Sequence, residues 1–350
     1  MIIRIFPLKN LVVPGKVNTF AQKCAIQMKL VEFGKRFQDE EACERHLREV
    51  REREGVVCCK CGCKEHEWDS HHKRWRCKHC RHETTLTANT VMHGSKLPLM
   101  YWFTAIHLLT STKKTFSALE MQRQLGHKRY QPIWEMMHKL RSVMGQRDGR
   151  YQLRESIELD EGYFSSDNEV SKDEPVKRGV GSQKKSKVLV MIESEASTPT
   201  HKGQKDKKVG HIKMEVIKNL EASTIDEKTV NGVDKATKIL TDNMGDHAHL
   251  PQHFGNTTIK TVPGKDAPKV LPWVHVAIAN AKRLIDDMYH GVKGKFLQQY
   301  LNEFCYKFNR KYFGDQLFDR LVLCSVCYKP TFEHQLYGSK PKSKDTERCG

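Results

Sequence analysis

Two cysteine pairs, Cys58/Cys61 and Cys77/Cys80, each have C-x2-C spacing, with residues 62–76 between them. A two-residue gap lets both sulfurs of one tight turn face the same ion. Four thiolates so arranged suit a tetrahedral Zn²⁺ site of the ribbon type. Gly62 follows the first pair and permits the positive φ that such a knuckle often uses. Cys59 and Cys63 lie close enough to shift the register, and His71, His72, His79 and His82 are substitute donors without paired spacing. Unrelated free thiols or disulfides are the plainer alternative. Cys324 and Cys327 form a lone CxxC and read as core or tail cysteines.

Asp160 and Asp242 offer a second chemistry. Each closes an expected strand, where the sheets of α/β proteins gather ligand-handling side chains. Two carboxylates that meet in space can bind two Mg²⁺ or Mn²⁺ ions about 3.5–4 Å apart and drive an in-line phosphoryl displacement. One ion would activate a water or 3′-hydroxyl, and the other would stabilise the leaving oxygen. Spacing alone does not single out this pair among the 42 acidic residues of the chain.

The elements that must hold these groups are legible in part. Residues 28–54 read as a charged helical lead-in with Asp39 as an N-cap. Residues 55–90 form the ribbon, with a short strand through Lys73–Cys77. Residues 91–150 are helical. Leu97-Pro98-Leu99 opens one helix, and Ser117-Ala118-Leu119-Glu120 is a capping box for a second that Gly126 can stop. A third helix covers roughly 130–144. Helix, short glycine-containing turn, helix is a helix-turn-helix order, although an ordinary helical hairpin looks the same. Lys128, Arg129, Lys139 and Arg141 are its candidate phosphate contacts.

From 151 to 328 the pattern is α/β. Strands are expected at 156–160, 187–192, 211–216 and 238–242, with polar loops at 165–186 and 194–208. Helices are expected at 223–234, 273–290 and 295–311. The last is amphipathic, and its stripe of Phe296, Leu297, Tyr300, Leu301, Phe304 and Phe308 is read as core. Residues 329–350 read as a disordered tail.

Composition narrows the partners. The 350 residues allow two or three domains, and the formal net charge is +18. Such a field favours a polyanion, most simply nucleic acid, over a membrane surface, and no transmembrane run stands out. Met1–Val13 is apolar but lacks a small-residue cleavage site. Together with metal-ligand spacing among the 12 cysteines, this argues for a reducing, cytoplasmic setting. Residues 1–27 carry no usable period and read as an extension ahead of Met28.

The whole order resembles the ISXO-like insertion-sequence transposases, a bacterial DDE-type family, from about Gln38 to Arg320. The two knuckles carry the resemblance, with Thr90-Val91, Ser95-Lys96-Leu97-Pro98-Leu99 and Trp102. So do Glu158-Leu159-Asp160-Glu161-Gly162-Tyr163, Thr241-Asp242-Asn243, Trp273-Val274-His275 and Asn280-Ala281-Lys282-Arg283. The last blocks are Tyr300-Leu301-Asn302-Glu303-Phe304 and Phe308-Asn309-Arg310-Lys311.

The resemblance implies an RNase H-like mixed-sheet catalytic domain preceded by a zinc ribbon and a helical DNA-binding segment. It implies a structural Zn²⁺ and a catalytic Mg²⁺ or Mn²⁺. The activity implied is binding of terminal inverted repeats, cleavage of double-stranded DNA and strand transfer to target DNA, by a homo-oligomer at the bacterial nucleoid. No small-molecule substrate is implied. The family expects a Glu on the helix after the second Asp. This chain has Asn280 there, 38 positions after Asp242, which gives a D-D-N triad. An amide oxygen can ligate Mg²⁺ but brings no charge. Asp286, Asp287 and Glu303 are rivals for the position. His275 and Lys282 are read as holding DNA or the scissile phosphate. A catalytically inactive, domesticated derivative is the alternative function.

Overall fold

A five-stranded mixed sheet organises the second half of the chain. The computed structural model describes residues 28–167, 182, 184–198, 206–242, 247, 249–260, 267–289, 291–311, 313, 314 and 316–332. The expected N-terminal extension, nearly all of the tail and parts of both expected loops lie outside these residues.

Ahead of that sheet come two helices, α1 (Leu30–Arg36) and α2 (Glu40–Glu54). Asp39 caps α2 as expected, accepting from the Ala42 N–H at 2.8 Å. A small antiparallel sheet comes next in the chain, made of β1 (His66–Asp69), β2 (Arg74–Cys77) and β3 (Glu83–Thr85). Arg51 of α2 stacks on Trp75 with its guanidinium 4.7 Å from the ring centroid. It also donates to the Thr85 and Leu86 carbonyls at 2.8 and 2.5 Å.

Three helices then succeed it, α3 (Leu99–Ser111), α4 (Ala118–Leu125) and α5 (Tyr130–Gly149). Ser117 caps α4 through the Glu120 N–H, and Gly126 ends it in the left-handed region at φ 63°. α5 continues past the expected stop at 144, because Val143 and Met144 pack in the core rather than at a helix end.

The large sheet contains β4 (Ser156–Ser165), β5 (Lys185–Ala196), β6 (Lys207–Ile217), β7 (Lys238–Asp242) and β8 (Thr257–Lys260) in the order β6-β5-β4-β7-β8. β4, β5 and β6 are antiparallel neighbours, while β4, β7 and β8 run parallel. The apolar run 188–192 splits by parity. Val188, Val190 and Ile192 join one core, and Leu189 and Met191 join the other.

The first face is covered by α9 (Pro272–Met288) and α10 (Gly294–Asn309). The second is covered by α6 (Ala222–Gly232) and the short α7 (Leu250–His253), through Ile225 and Leu250. The short α8 (Ala267–Val270) precedes α9. α9 comes very close to β4. A Cβ on Gly162 would lie 2.9 Å from the Phe164 ring and 3.3 Å from Ile278.

The closing helix, α11 (Gln316–Cys327), leaves the sheet. Its Leu317, Phe318, Leu321 and Val322 join α1, α2, α3 and α5 in a third core, together with Tyr306 of α10. Cys324 is buried there, as read from the sequence, while Cys327 is exposed. Among the described residues, no helix is long and apolar enough to cross a membrane.

One expected contact is overturned. Arg141, a candidate phosphate contact, has 1% side-chain exposure and donates to the Glu303 carboxylate at 2.8 Å. Tyr289 Oη accepts from Arg141 at 3.0 Å, and Thr115 donates to Glu303. Arg141 therefore ties α5 to α9 and α10 instead of facing DNA, and Glu303 is removed as a rival metal ligand. Arg141→Ala would strand a buried carboxylate. It is expected to cost about 3–5 kcal/mol of stability in chemical denaturation.

Candidate functional site: an acidic cleft and a four-cysteine cluster

The sulfurs of Cys58, Cys61, Cys77 and Cys80 all lie within 4.8 Å of one another. The Cys58–Cys80 and Cys61–Cys77 separations are both 3.5 Å. A tetrahedron with ~2.3 Å metal–sulfur bonds places its ligands about 3.8 Å apart, so the cluster fits a metal ion in size and donor chemistry. The backbone explains the convergence. Gly62 N–H bonds the Cys58 carbonyl at 2.8 Å, and Arg81 N–H bonds the Cys77 carbonyl at 3.0 Å. Each of these residues comes directly after a second cysteine and has positive φ, 74° at Gly62 and 58° at Arg81. Cys59 and Cys63 are not members of the group, so the unshifted register is the one formed.

The acidic pair is built by the parallel neighbours β4 and β7. Their register runs to Leu159 opposite Thr241. The next positions, Asp160 and Asp242, are therefore side by side on strands about 4.8 Å apart. Asp242 ends its strand as expected. Asp160 does not: β4 continues to Ser165 because β5 keeps pairing with it. Asp160 sits where the parallel partner stops, which leaves the same open edge. Burial, with the nearby charges of Glu161 and Asp242 adding to it, pushes the Asp160 carboxyl up to about 7. A buried carboxyl crowded by other carboxylates makes a favourable seat for a divalent cation.

β4 alternation turns Glu158, Asp160 and Gly162 toward α9. The His275 Nδ1 of that helix is 3.4 Å from Asp160 Oδ2. Lys282 comes seven residues later, within about 20° of His275 around the helix. Its ammonium lies 5.7 Å from the Phe164 ring centroid and feels the Asp160 charge. Burial lowers the pKa of both His275 and Lys282. Asn280 is not brought to this face. It is exposed and, five residues after His275, about 140° around the helix from it. Asp286 and Asp287 are exposed as well.

Three residues to which the sequence assigned no role, His247, Glu161 and Glu158, complete the cleft. His247 is fully buried. Its Nε2 is 2.6 Å from Glu161, and its Nδ1 is 2.5 Å from Thr241 Oγ1 and 3.3 Å from Asp242. Burial opposes charge on this ring, yet the bonds to Asp242 and Glu161 outweigh it and push the imidazole up to about 10. Glu158 is 1% exposed and bonds the start of α9. Its signals in sequence were its place in the Glu158–Tyr163 block and a polar residue at an inward strand position. For His247, between β7 and α7, no sequence signal exists.

The other expected DNA contacts divide. Lys128 and Arg129 are exposed at the α4–α5 turn, whereas Lys139 is half-buried on the stem of α5.

The described residues thus form a mixed α/β sheet with two carboxylates side by side at its parallel edge. The family model of the ISXO2-like transposase domain matches residues 152–309. That segment is therefore similar to the ISXO2-like transposase domain. A search of curated proteins gives no match. Among solved structures, the chain is similar to the Mos1 strand transfer complex at 13% identity and TM-score 0.27, covering 69% of this chain and 82% of that one. It is also similar to a pre-cleavage Mos1 transpososome, at 11% identity and TM-score 0.21 with the same two coverages. The mariner Mos1 paired end complex with Mg gives 12% identity and TM-score 0.23, again over 69% and 82%. Likeness at such scores is too distant to bear on function.

Proposed function

We propose that this chain is a DNA transposase that binds the terminal inverted repeats of an insertion sequence and catalyses metal-dependent cleavage and strand transfer. The observation that carries this reading is the side-by-side placement of Asp160 and Asp242 within the segment that the ISXO2-like transposase domain model matches. The strand order, three antiparallel strands and then two parallel ones, supports an RNase H-like catalytic domain. Asp160 and Asp242 would hold a catalytic Mg²⁺ or Mn²⁺, which when bound would supply Lewis-acid activation of the attacking and leaving oxygens. His275 and Lys282, on the helix face above the pair, contact the scissile phosphate. Buried His247 ties Asp242 to Glu161 and so helps fix the end of β7 beside β4. A structural Zn²⁺ in the four-cysteine cluster makes residues 55–90 a zinc ribbon, which with α4 and α5 grips the element ends.

The deciding experiment is an in-vitro assay of the full chain on labelled element ends with target DNA and Mg²⁺. Cleaved and joined products are expected. Their absence, with end binding intact, would favour a second reading: a transposase-derived DNA-binding protein without catalysis. One observation favours that second reading, namely Asn280 standing on the exposed side of α9.

End binding itself makes a separate prediction. Exposed Lys128 and Arg129 are read as phosphate contacts, so removing both should weaken binding to all sequences alike. The slope of log K against log salt should fall by about 1 per lost contact. Fluorescence anisotropy across a salt series measures it, and an unchanged slope would remove these residues from the interface.

A further inference from the structure

The cleft needs α9 and β4 locked at a fixed offset, and apolar packing alone resists sliding poorly. Val274, Ile278 and Ala281 meet the sheet through methyl groups, and Gly162 leaves α9 room to approach. The first turn of α9 is weakly closed by its own backbone, since the His275 N–H reaches the Leu271 carbonyl only at 3.5 Å. Nor does its N-cap residue, Leu271, supply a side-chain bond.

Glu158 fills that gap. Its Oε2 accepts from the Trp273 N–H at 2.7 Å and the Val274 N–H at 3.0 Å. Its Oε1 accepts from Ser194 Oγ at 2.7 Å and Lys207 Nζ at 3.3 Å. One buried carboxylate therefore joins β4, β5, β6 and the N-terminus of α9, where a negative group is also favoured by the helix dipole. It stands two residues before Asp160 on the same strand face. The helix residue after Val274 is His275, which touches Asp160.

We propose that Glu158 is a positioning residue for the phosphoryl-transfer site, fixing the register of α9 so that His275 and Lys282 stay over Asp160. This rests on the proposed function. Glu158 meets neither DNA nor metal in this role. Its effect passes through the helix it caps.

The test is Glu158→Gln in the full-length protein. An amide can accept at only one of the two donor pairs, and its NH₂ faces the other. Misplacement on the order of 1 Å costs about 100-fold in rate, so kcat for joining should fall by about that factor with KM for DNA ends unchanged. Ser194→Ala removes a donor from Oε1 and leaves the α9 cap whole, so its kcat should match the parent. The Trp273 and Val274 amides of the unmutated protein should also exchange as slowly as mid-helix amides. Helix-start amides without a cap exchange fast, so this measurement stands even if Glu158→Gln fails to fold.

Parent-like kcat in Glu158→Gln would overturn the proposal. So would an equal loss in Ser194→Ala, or fast exchange at residues 273 and 274. If Asp160→Asn and Asp242→Asn kept full activity, the functional reading itself would fall instead.

Discussion

Asp160→Asn is expected to stop Mg²⁺-dependent cleavage and joining while leaving the protein more stable. The substitution keeps the side-chain shape and removes the charge that would hold a cation beside Asp242. Losing one element of a preorganised electrostatic site lowers the rate on the order of 10³-fold or more. End binding should stay close to that of the parent, since the proposed phosphate contacts Lys128 and Arg129 are on the α4–α5 turn and Asp160 is on β4.

The stability change has a definite sign. The folded carboxyl is pushed up to about 7 from an ordinary 3.8. The ionised form is therefore disfavoured by folding, and that penalty grows as pH rises from about 4 to about 7. Without added metal, the melting temperature of Asp160→Asn should exceed that of the parent above pH 7, and the difference should vanish below pH 4. Undiminished joining would refute the role of Asp160. An inactive variant less stable than the parent at pH 8 would show a structural role instead.

Chelation at the four-cysteine cluster, which could hold a metal ion, is the second large effect expected. The β1–β3 sheet has few buried side chains of its own, Trp75 foremost, so its fold rests on the sulfurs being held together. Structural zinc contributes on the order of 10 kcal/mol in comparable small modules. A strong chelator should therefore unfold residues 56–90 and lose the close Trp68–Trp75 pairing, whose ring centroids are 4.7 Å apart. The five-stranded sheet should persist. Far-UV and tryptophan spectra before and after chelation, with zinc added back, measure this. A β1–β3 region unchanged by chelation would contradict the metal site.

The site and its surroundings differed in how much they showed in sequence. The knuckles were legible because the ligand spacing is local: turn geometry alone brings each pair of sulfurs together. The strand from 187 and the α10 stripe were legible because burial imposes a period. Asp242 was found at a strand end, while Asp160 was not, since the extension of β4 depends on its partner β5.

Arg141 misled for a related reason. A basic residue on a helix reads the same whether it meets a phosphate or a carboxylate, and its partner Glu303 lies 162 residues away. Likewise, nothing local distinguishes His247 from the other histidines of the chain until the fold sets it between Glu161 and Asp242. The departure of α11 to the helical core was equally hidden, because an amphipathic helix records that it packs but not against what.

The return of α11 and the Arg141–Glu303 tie bear on how such a protein could be re-engineered or diversify. The helical part and the sheet part share a spine: the chain interleaves them, first helices, then sheet, then a helix that closes back on the beginning. Exchanging the front end for another specificity would therefore mean carrying α11 and the α10 face along with it. If the α4–α5 turn reads DNA as proposed, editing that exposed turn would change specificity more easily than swapping modules.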